Sequence, residues 1–163
     1  MRLHRIDERQ FLPGVALDEA WDFFADPRNL QLITPPALNL RLTSEPPPRI
    51  YPGLLITYSL QPFPRVRASW ITEITHLVDG RLFVDEQRVG PYRLWHHEHH
   101  FAERDGGVEV RDLVQYTMPF GPFGDAVQAL VVRRRLSEIF AFRRRVLAVR
   151  FGAMSLPRVR PAS

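Results

Sequence analysis

The sequence predicts an α+β fold, and three observations carry that reading. Segments of alternating apolar and polar residues follow one another between about residues 54 and 118, joined by tight Gly- and Asp-containing turns. The apolar spacing then changes from two residues to three and four, which marks a long C-terminal helix. Ahead of the strands, two short segments carry helix-start signals. Turns this short join antiparallel neighbours, since parallel strands need a crossover of a dozen residues or more.

Residues 2–12 form the first expected strand. Asp18 to Phe24 reads as a short helix: Asp18 and Glu19 suit the positive end of its dipole, and Ala20, Trp21 and Phe24 form its apolar face. Asp26 is an N-cap with Pro27 at the first helical position, opening a second short helix that ends before Pro35-Pro36. Pro46-Pro47-Pro48 marks a loop rather than a domain linker, because strand signals resume at once. Strand candidates follow at 54–61, 66–76, 81–89, 92–104 and 108–118, with Asp79-Gly80, Gly90-Pro91 and Asp105-Gly106-Gly107 as turns. On the last of these, Val108, Val110, Asp112, Val114, Tyr116 and Met118 share a face, and Glu109, Arg111, Gln115 and Thr117 form a solvated one. From Pro122 to Phe151, the residues Val132, Leu136, Ile139, Phe140, Arg143, Leu147 and Phe151 make one stripe. A helix of about 30 residues is ~45 Å long, enough to lie across a whole sheet. One domain over residues 1–152 and a flexible tail at 153–163 complete the expected layout.

Composition narrows the function classes. The 163 residues include no Cys, which removes disulfides, thiolate nucleophiles and Cys-based metal sites. All 22 basic residues are Arg, and the formal net charge is only +4. The triplets Arg133-Arg134-Arg135 and Arg143-Arg144-Arg145 sit on the expected helix, where such runs are solvated faces, so no nucleic-acid partner is expected. The N-terminus is charged from its second residue, without the apolar centre of a secretory signal. No apolar run approaches the ~20 residues that span a bilayer. A soluble cytoplasmic protein without stable membrane insertion is the expectation, and homo-oligomerisation is left open.

The stretch from Gly90 to Gly121 is the most informative for function. It opens GPYRLWHHEHHF, so that alternation puts Trp95, His97, His99 and Phe101 on one face and His96, Glu98 and His100 on the other. A histidine pair flanked by aromatics has the composition of a small-molecule pocket, apolar with a few polar anchors. Either histidine pair could contact a metal. Zinc chemistry needs three protein ligands, however, and a His-x-His pair alone does not supply them. No metal and no cofactor is therefore expected.

Four segments, LQLITPP (30–36), FVDEQRVGPYRLWHHEHHF (83–101), GGVEVRDLVQYTMPFGPFG (106–124) and IFAFRRRVL (139–147), give the chain a family likeness. Together with the order of elements, they resemble the SRPBCC superfamily of START domains, Bet v 1-like proteins and polyketide cyclase/dehydrases, in a small bacterial branch. The likeness covers most of residues 3–151. It implies a helix-grip fold: a curved antiparallel sheet of about six to seven strands around a long C-terminal helix, with two short helices after the first strand. It also implies a deep cavity for a hydrophobic ligand between sheet and helix.

Combined with the alternation, this makes Ile56, Tyr58, Trp70, Phe83, Trp95, Phe101, Val110, Val114 and Tyr116 the expected concave face. Phe120, Phe123, Val127 and Leu136 would close it, and Pro62-Phe63-Pro64 with the loop at 119–124 would form its mouth. Asp85, Gln87, His97, His99, Asp112 and Arg143 are the polar groups assigned to the same interior. Inward charges are costly unless paired, which calls for a His–Asp couple or an Arg143–carboxylate pair. His97, His99, Asp112 and Asp85 are the candidates for proton transfer, beside the simpler roles of anchoring a ligand or fixing strand register. The expected function is binding of a small hydrophobic or amphipathic molecule. The alternatives are a cyclase/dehydratase-like enzyme using the same cavity, and a protein-interaction domain without a ligand.

Overall fold

The computed structural model describes residues 2–63 and 65–152. The expectation of a flexible tail at 153–163, and the assignment of Pro64 to a cavity mouth, fall outside those residues. Strand β1 (His4–Pro13) leads into helix α1 (Leu17–Ala25). Strands β2 (Arg41–Leu42), β3 (Leu55–Phe63), β4 (Val66–Val78), β5 (Leu82–Val89), β6 (Leu94–Arg104) and β7 (Gly107–Thr117) follow. They form one curved antiparallel sheet in the order β1-β7-β6-β5-β4-β3-β2. β1 closes on β7, from His4 opposite Tyr116 to Pro13 opposite Gly107. The short β2 was not foreseen, since two residues carry no readable period.

The second short helix is instead a pair of 3₁₀ turns, Pro27–Gln31 and Pro36–Leu38. Asp26 caps the first turn by accepting from the Arg28 backbone N–H at 3.0 Å. The first turn ends before Pro35-Pro36, as expected, and those prolines open the second. On α1 the buried residues are Ala20, Trp21 and Phe23, while Phe24 is half-buried. Trp21 and Phe24 both meet Phe101 edge-on, with ring centroids 5.3 Å apart, and this clamps α1 to β6.

The C-terminal helix comes in three pieces: α2 (Gly121–Val127), a π turn (Gln128–Val132) and α3 (Arg133–Arg150). Buried Gln128, inside the wide turn, donates from Nε2 to the Tyr116 hydroxyl at 3.0 Å, tying the irregularity to β7. Leu136, Phe140, Arg143 and Leu147 form the buried side of α3, as the stripe requires. Thr117, expected on a solvated face, is buried where its carbonyl accepts from the Arg93 N–H at 3.0 Å. The main apolar core gathers Leu12, Trp21, Phe23, Phe83, Phe101 and Leu147, and a smaller one gathers Trp95, Val114, Tyr116, Leu136 and Phe140. No helix among the described residues is long and apolar enough to cross a membrane.

Candidate functional site

A cavity of about 340 Å³ lies between the concave sheet and the C-terminal helix. Its volume is at the lower end of the roughly 300–1,000 Å³ of small-molecule sites. The sheet contributes Ile56, Tyr58, Leu60, Trp70, Ile74, Phe83 and Trp95 to its wall, and the helix contributes Val127, Val131, Leu136, Ile139 and Phe140. Asp85, His97, His99 and Arg143 come together in its wall, which Asp26 and Arg135 also line.

Strand register assembles this cluster. Asp85 on β5 stands opposite His97 on β6, and Asp112 on β7 stands opposite His99. Each carboxylate then reaches the diagonal histidine: His99 Nε2 donates to Asp85 Oδ2 at 2.8 Å, and His97 Nε2 donates to Asp112 Oδ1 at 2.9 Å. The remaining ring nitrogens close the square, with His97 Nδ1 3.5 Å from Asp85 Oδ2 and His99 Nδ1 3.0 Å from Asp112 Oδ1. The last approach is out of line, so His99 Nδ1 is buried without a hydrogen bond. The two imidazoles overlap, ring centroids 3.8 Å apart, and Phe83 stacks on the far side of His99 at 4.2 Å. Arg143, reaching down from α3, donates to Asp112 Oδ1 at 2.9 Å. Thr72 donates from its hydroxyl to Asp85 Oδ1 at 3.2 Å.

Burial and charge set the protonation of this group. Burial alone would raise the Asp112 carboxyl, but Arg143, followed by the two histidines, holds it well below the usual carboxylate range. Burial likewise opposes ionisation of Asp85, and the two histidines with Thr72 override it and lower that carboxyl. Burial pushes His97 down, and the neighbouring His99 charge adds to this against the pull of Asp85 and Asp112. Burial opposes protonation of His99, but the adjoining carboxylates of Asp112 and Asp85 outweigh it and hold His99 above its ordinary value. Two lowered carboxylates and one guanidinium thus surround a histidine pair whose two proton affinities are pushed apart, His99 up and His97 down. Burial, then the nearby carboxylates Asp85 and Asp26, also push the Tyr58 phenol up, so its hydroxyl stays protonated.

Of the residues assigned to the interior, Ile56, Tyr58, Trp70, Phe83, Asp85, Trp95, His97, His99, Val127, Leu136 and Arg143 line the cavity. Eight do not. Asp112 lies behind the histidines, and Phe101 and Val110 belong to the core under α1. Val114 and Tyr116 pack beneath the helix. Gln87 turns away, donating to the Tyr92 carbonyl at 2.7 Å and accepting from its N–H. Phe120 and Phe123 are 80% and 72% exposed, because Phe120 adopts a left-handed φ of 66° at the turn into α2 and the loop points outward. The 3₁₀ segment supplies wall residues that sequence reading missed, among them Asn29, Leu30, Ile33 and Leu38. Their one signal is an apolar content unusual for a Pro-rich connection. Arg135 was also missed; it lies on the rim, its guanidinium 4.7 Å above the Phe63 ring and bonded to the Pro62 carbonyl.

Comparisons with known proteins agree with this architecture. A protein from Thermus thermophilus superposes with a TM-score of 0.68 at 14% identity, over 94% of this chain and 100% of that one. A Mycobacterium smegmatis protein gives 0.62 at 18% identity, over 90% and 92%. Norcoclaurine synthase from Thalictrum flavum, in complex with dopamine and hydroxybenzaldehyde, gives 0.62 at 12% identity, over 95% and 90%. Identities this low speak for the fold alone. No curated protein matches the sequence. Residues 14–141 match the family model described as polyketide cyclase / dehydrase and lipid transport, and the chain belongs to that family.

Proposed function

We propose that this protein binds one small hydrophobic or amphipathic molecule between its sheet and its C-terminal helix, with the molecule's polar group at the Asp85–His97–His99–Arg143 cluster. The observation that carries the reading is the cavity itself, mostly apolar in its lining and carrying the cluster of Asp85, His97, His99 and Arg143 in its wall. An apolar guest gains by leaving water against aromatic and aliphatic walls. The charged cluster offers both donors and acceptors, so a hydroxyl or carbonyl on the guest fixes its orientation. The family description, which names lipid transport, supports the class of guest. Native mass spectrometry of the protein purified from its own host is the direct test: a reproducible guest near one-to-one is expected. An empty protein that also ignores a broad panel of hydrophobic ligands would sink the proposal and favour an interaction domain.

A second reading, proton transfer to or from the guest, is favoured by the His97–Asp112 couple at the cavity wall. It predicts turnover of an enolisable guest that is lost in His97→Gln while the fold and guest binding persist.

A further inference from the structure

The charged cluster in the cavity wall has a second use that ligand anchoring does not require. We propose that Asp85, His97 and His99 form a binding site for a divalent first-row transition-metal ion of the zinc type, open toward the cavity. The sequence offered only a His-x-His pair, two ligands where three are needed. The β5–β6 register supplies the third, because it sets Asp85 directly opposite His97. One donor atom from each of the three residues lies within 4.8 Å of the others. His99 Nε2 and His97 Nδ1 approach the same oxygen, Asp85 Oδ2, at 2.8 and 3.5 Å. Tetrahedral ligands held ~2.0–2.2 Å from one ion lie about 3.3–3.6 Å apart, so the 3.5 Å pair fits as it stands and the 2.8 Å pair, now a hydrogen bond, need part only slightly when an ion replaces its proton.

The surroundings divide as they do around a metal. All three candidate ligands line the cavity, and Asp112 does not. Of the nitrogens left over, His97 Nε2 is hydrogen-bonded to Asp112 Oδ1 at 2.9 Å, and His99 Nδ1 lies 3.0 Å from the same oxygen but out of line with it. Metal-bound histidines present their other ring nitrogen to a carboxylate in this way, which fixes tautomer and ring orientation. Asp112 is itself anchored by Arg143, and Asp85 is held through Oδ1 by Thr72, leaving Oδ2 for the ion. Charge is consistent too. With both imidazoles bound as neutral ligands, a divalent ion and Arg143 against the carboxylates of Asp85 and Asp112 give the cluster a net charge of +1. Such a centre accepts an anionic group, either hydroxide or an acidic oxygen of the cavity's guest. The fourth position faces the cavity, where a guest can reach it.

The test is titration of the full-length protein, stripped with chelator, with Co²⁺ alone as the probe and Zn²⁺ as competitor. The expected result is one Co²⁺ per chain, visible absorption bands of a nitrogen- and oxygen-ligated ion, and their loss on adding Zn²⁺. Asp85→Asn and His99→Gln should each weaken binding at least a hundredfold. Asp112→Asn, which spares the ligands, should weaken it about 10- to 100-fold. Glu98→Gln should change nothing, because Glu98 serves the outer-face group with His96 and His100. Wild-type protein that binds no stoichiometric ion overturns the proposal, whatever the variants do. So does binding that survives Asp85→Asn and His99→Gln but falls with Glu98→Gln, which would place the ion on the outer face. Guest binding measured on the same stripped protein keeps this result separate from the hydrophobic-ligand reading.

Discussion

Arg143 on α3 and Asp112 on β7 are both buried and bonded at 2.9 Å, so the C-terminal helix is pinned to the sheet by an ion pair inside the core. Arg143→Met would leave the Asp112 carboxylate facing only two imidazoles. Breaking such a pair costs about 3–5 kcal/mol, and the residual histidine contacts place this case near the lower end. Arg143→Met combined with Asp112→Asn should recover much of the loss. Urea unfolding of the two variants measures both; equal destabilisation in single and double would show that the charge pair is not the cause.

Stability of the metal-free protein should depend on pH through this cluster. Asp85 and Asp112 are lowered in the folded state, so they stabilise it above about pH 4, and that contribution is withdrawn as pH falls through their folded values. His99 is raised, so its contribution is complete below about pH 6.5 and is lost as pH rises through its folded value. His97 is lowered and acts in the opposite sense, costing stability as pH falls below about 6.5. Melting temperature should therefore drop on the acid side, and Asp112→Asn should make that acid limb shallower. A limb unchanged in the variant would remove Asp112 from the account.

Filling the cavity should separate guest binding from folding. Ile139 is half-buried and faces the void from α3. Ile139→Trp places an indole where a guest would lie, in space already present, so stability should change by less than about 1.5 kcal/mol. Affinity for an apolar fluorescent probe should fall at least tenfold, about 1.4 kcal/mol. Unchanged probe binding would place the probe elsewhere on the protein.

Gly124 is predicted to be intolerant of a side chain for steric reasons. A Cβ there would lie 1.9 Å from the Pro119 carbonyl oxygen, a backbone atom that cannot rotate aside. Gly124→Ala should cost about 1–3 kcal/mol by forcing the turn into α2 to open. Gly106, where a Cβ meets nothing within 4 Å but φ is +79°, offers the contrasting case of conformational strain. Thermal melts of both alanine variants compare the two costs.

The sheet, the order of elements and the α3 stripe were legible because period-2 and period-3.6 patterns survive in single residues such as Val110 and Leu136. The face carrying His97, His99, Asp85 and Asp112 was legible for the same reason. What the sequence could not carry was register. Alternation places Asp85 on the inner face but leaves open whether it stands opposite His97 or one pair further along, and that choice creates or abolishes the square of contacts. Phe120 and Phe123 were misplaced because their apolar character says inside, whereas the left-handed turn at Phe120 sends the loop outward. The wall residues Leu30 and Leu38 were missed because 3₁₀ turns have no long period to recognise, and Ile33 because it lies in the short connection between them.

The wide turn at Gln128–Val132 has a consequence for how this chain can vary. A π turn takes up one residue more than a regular α-helix needs over the same span, so the residues after it keep the phase they would have without it. Deleting one residue inside the turn would convert it to regular α-helix and leave Arg143 facing Asp112. Deleting one residue of α3 ahead of Arg143 would instead turn Arg143 by about 100° around the axis and away from Asp112. The wide turn is therefore slack in the chain: length can change there, and not further along, without unseating the helix from the site it covers.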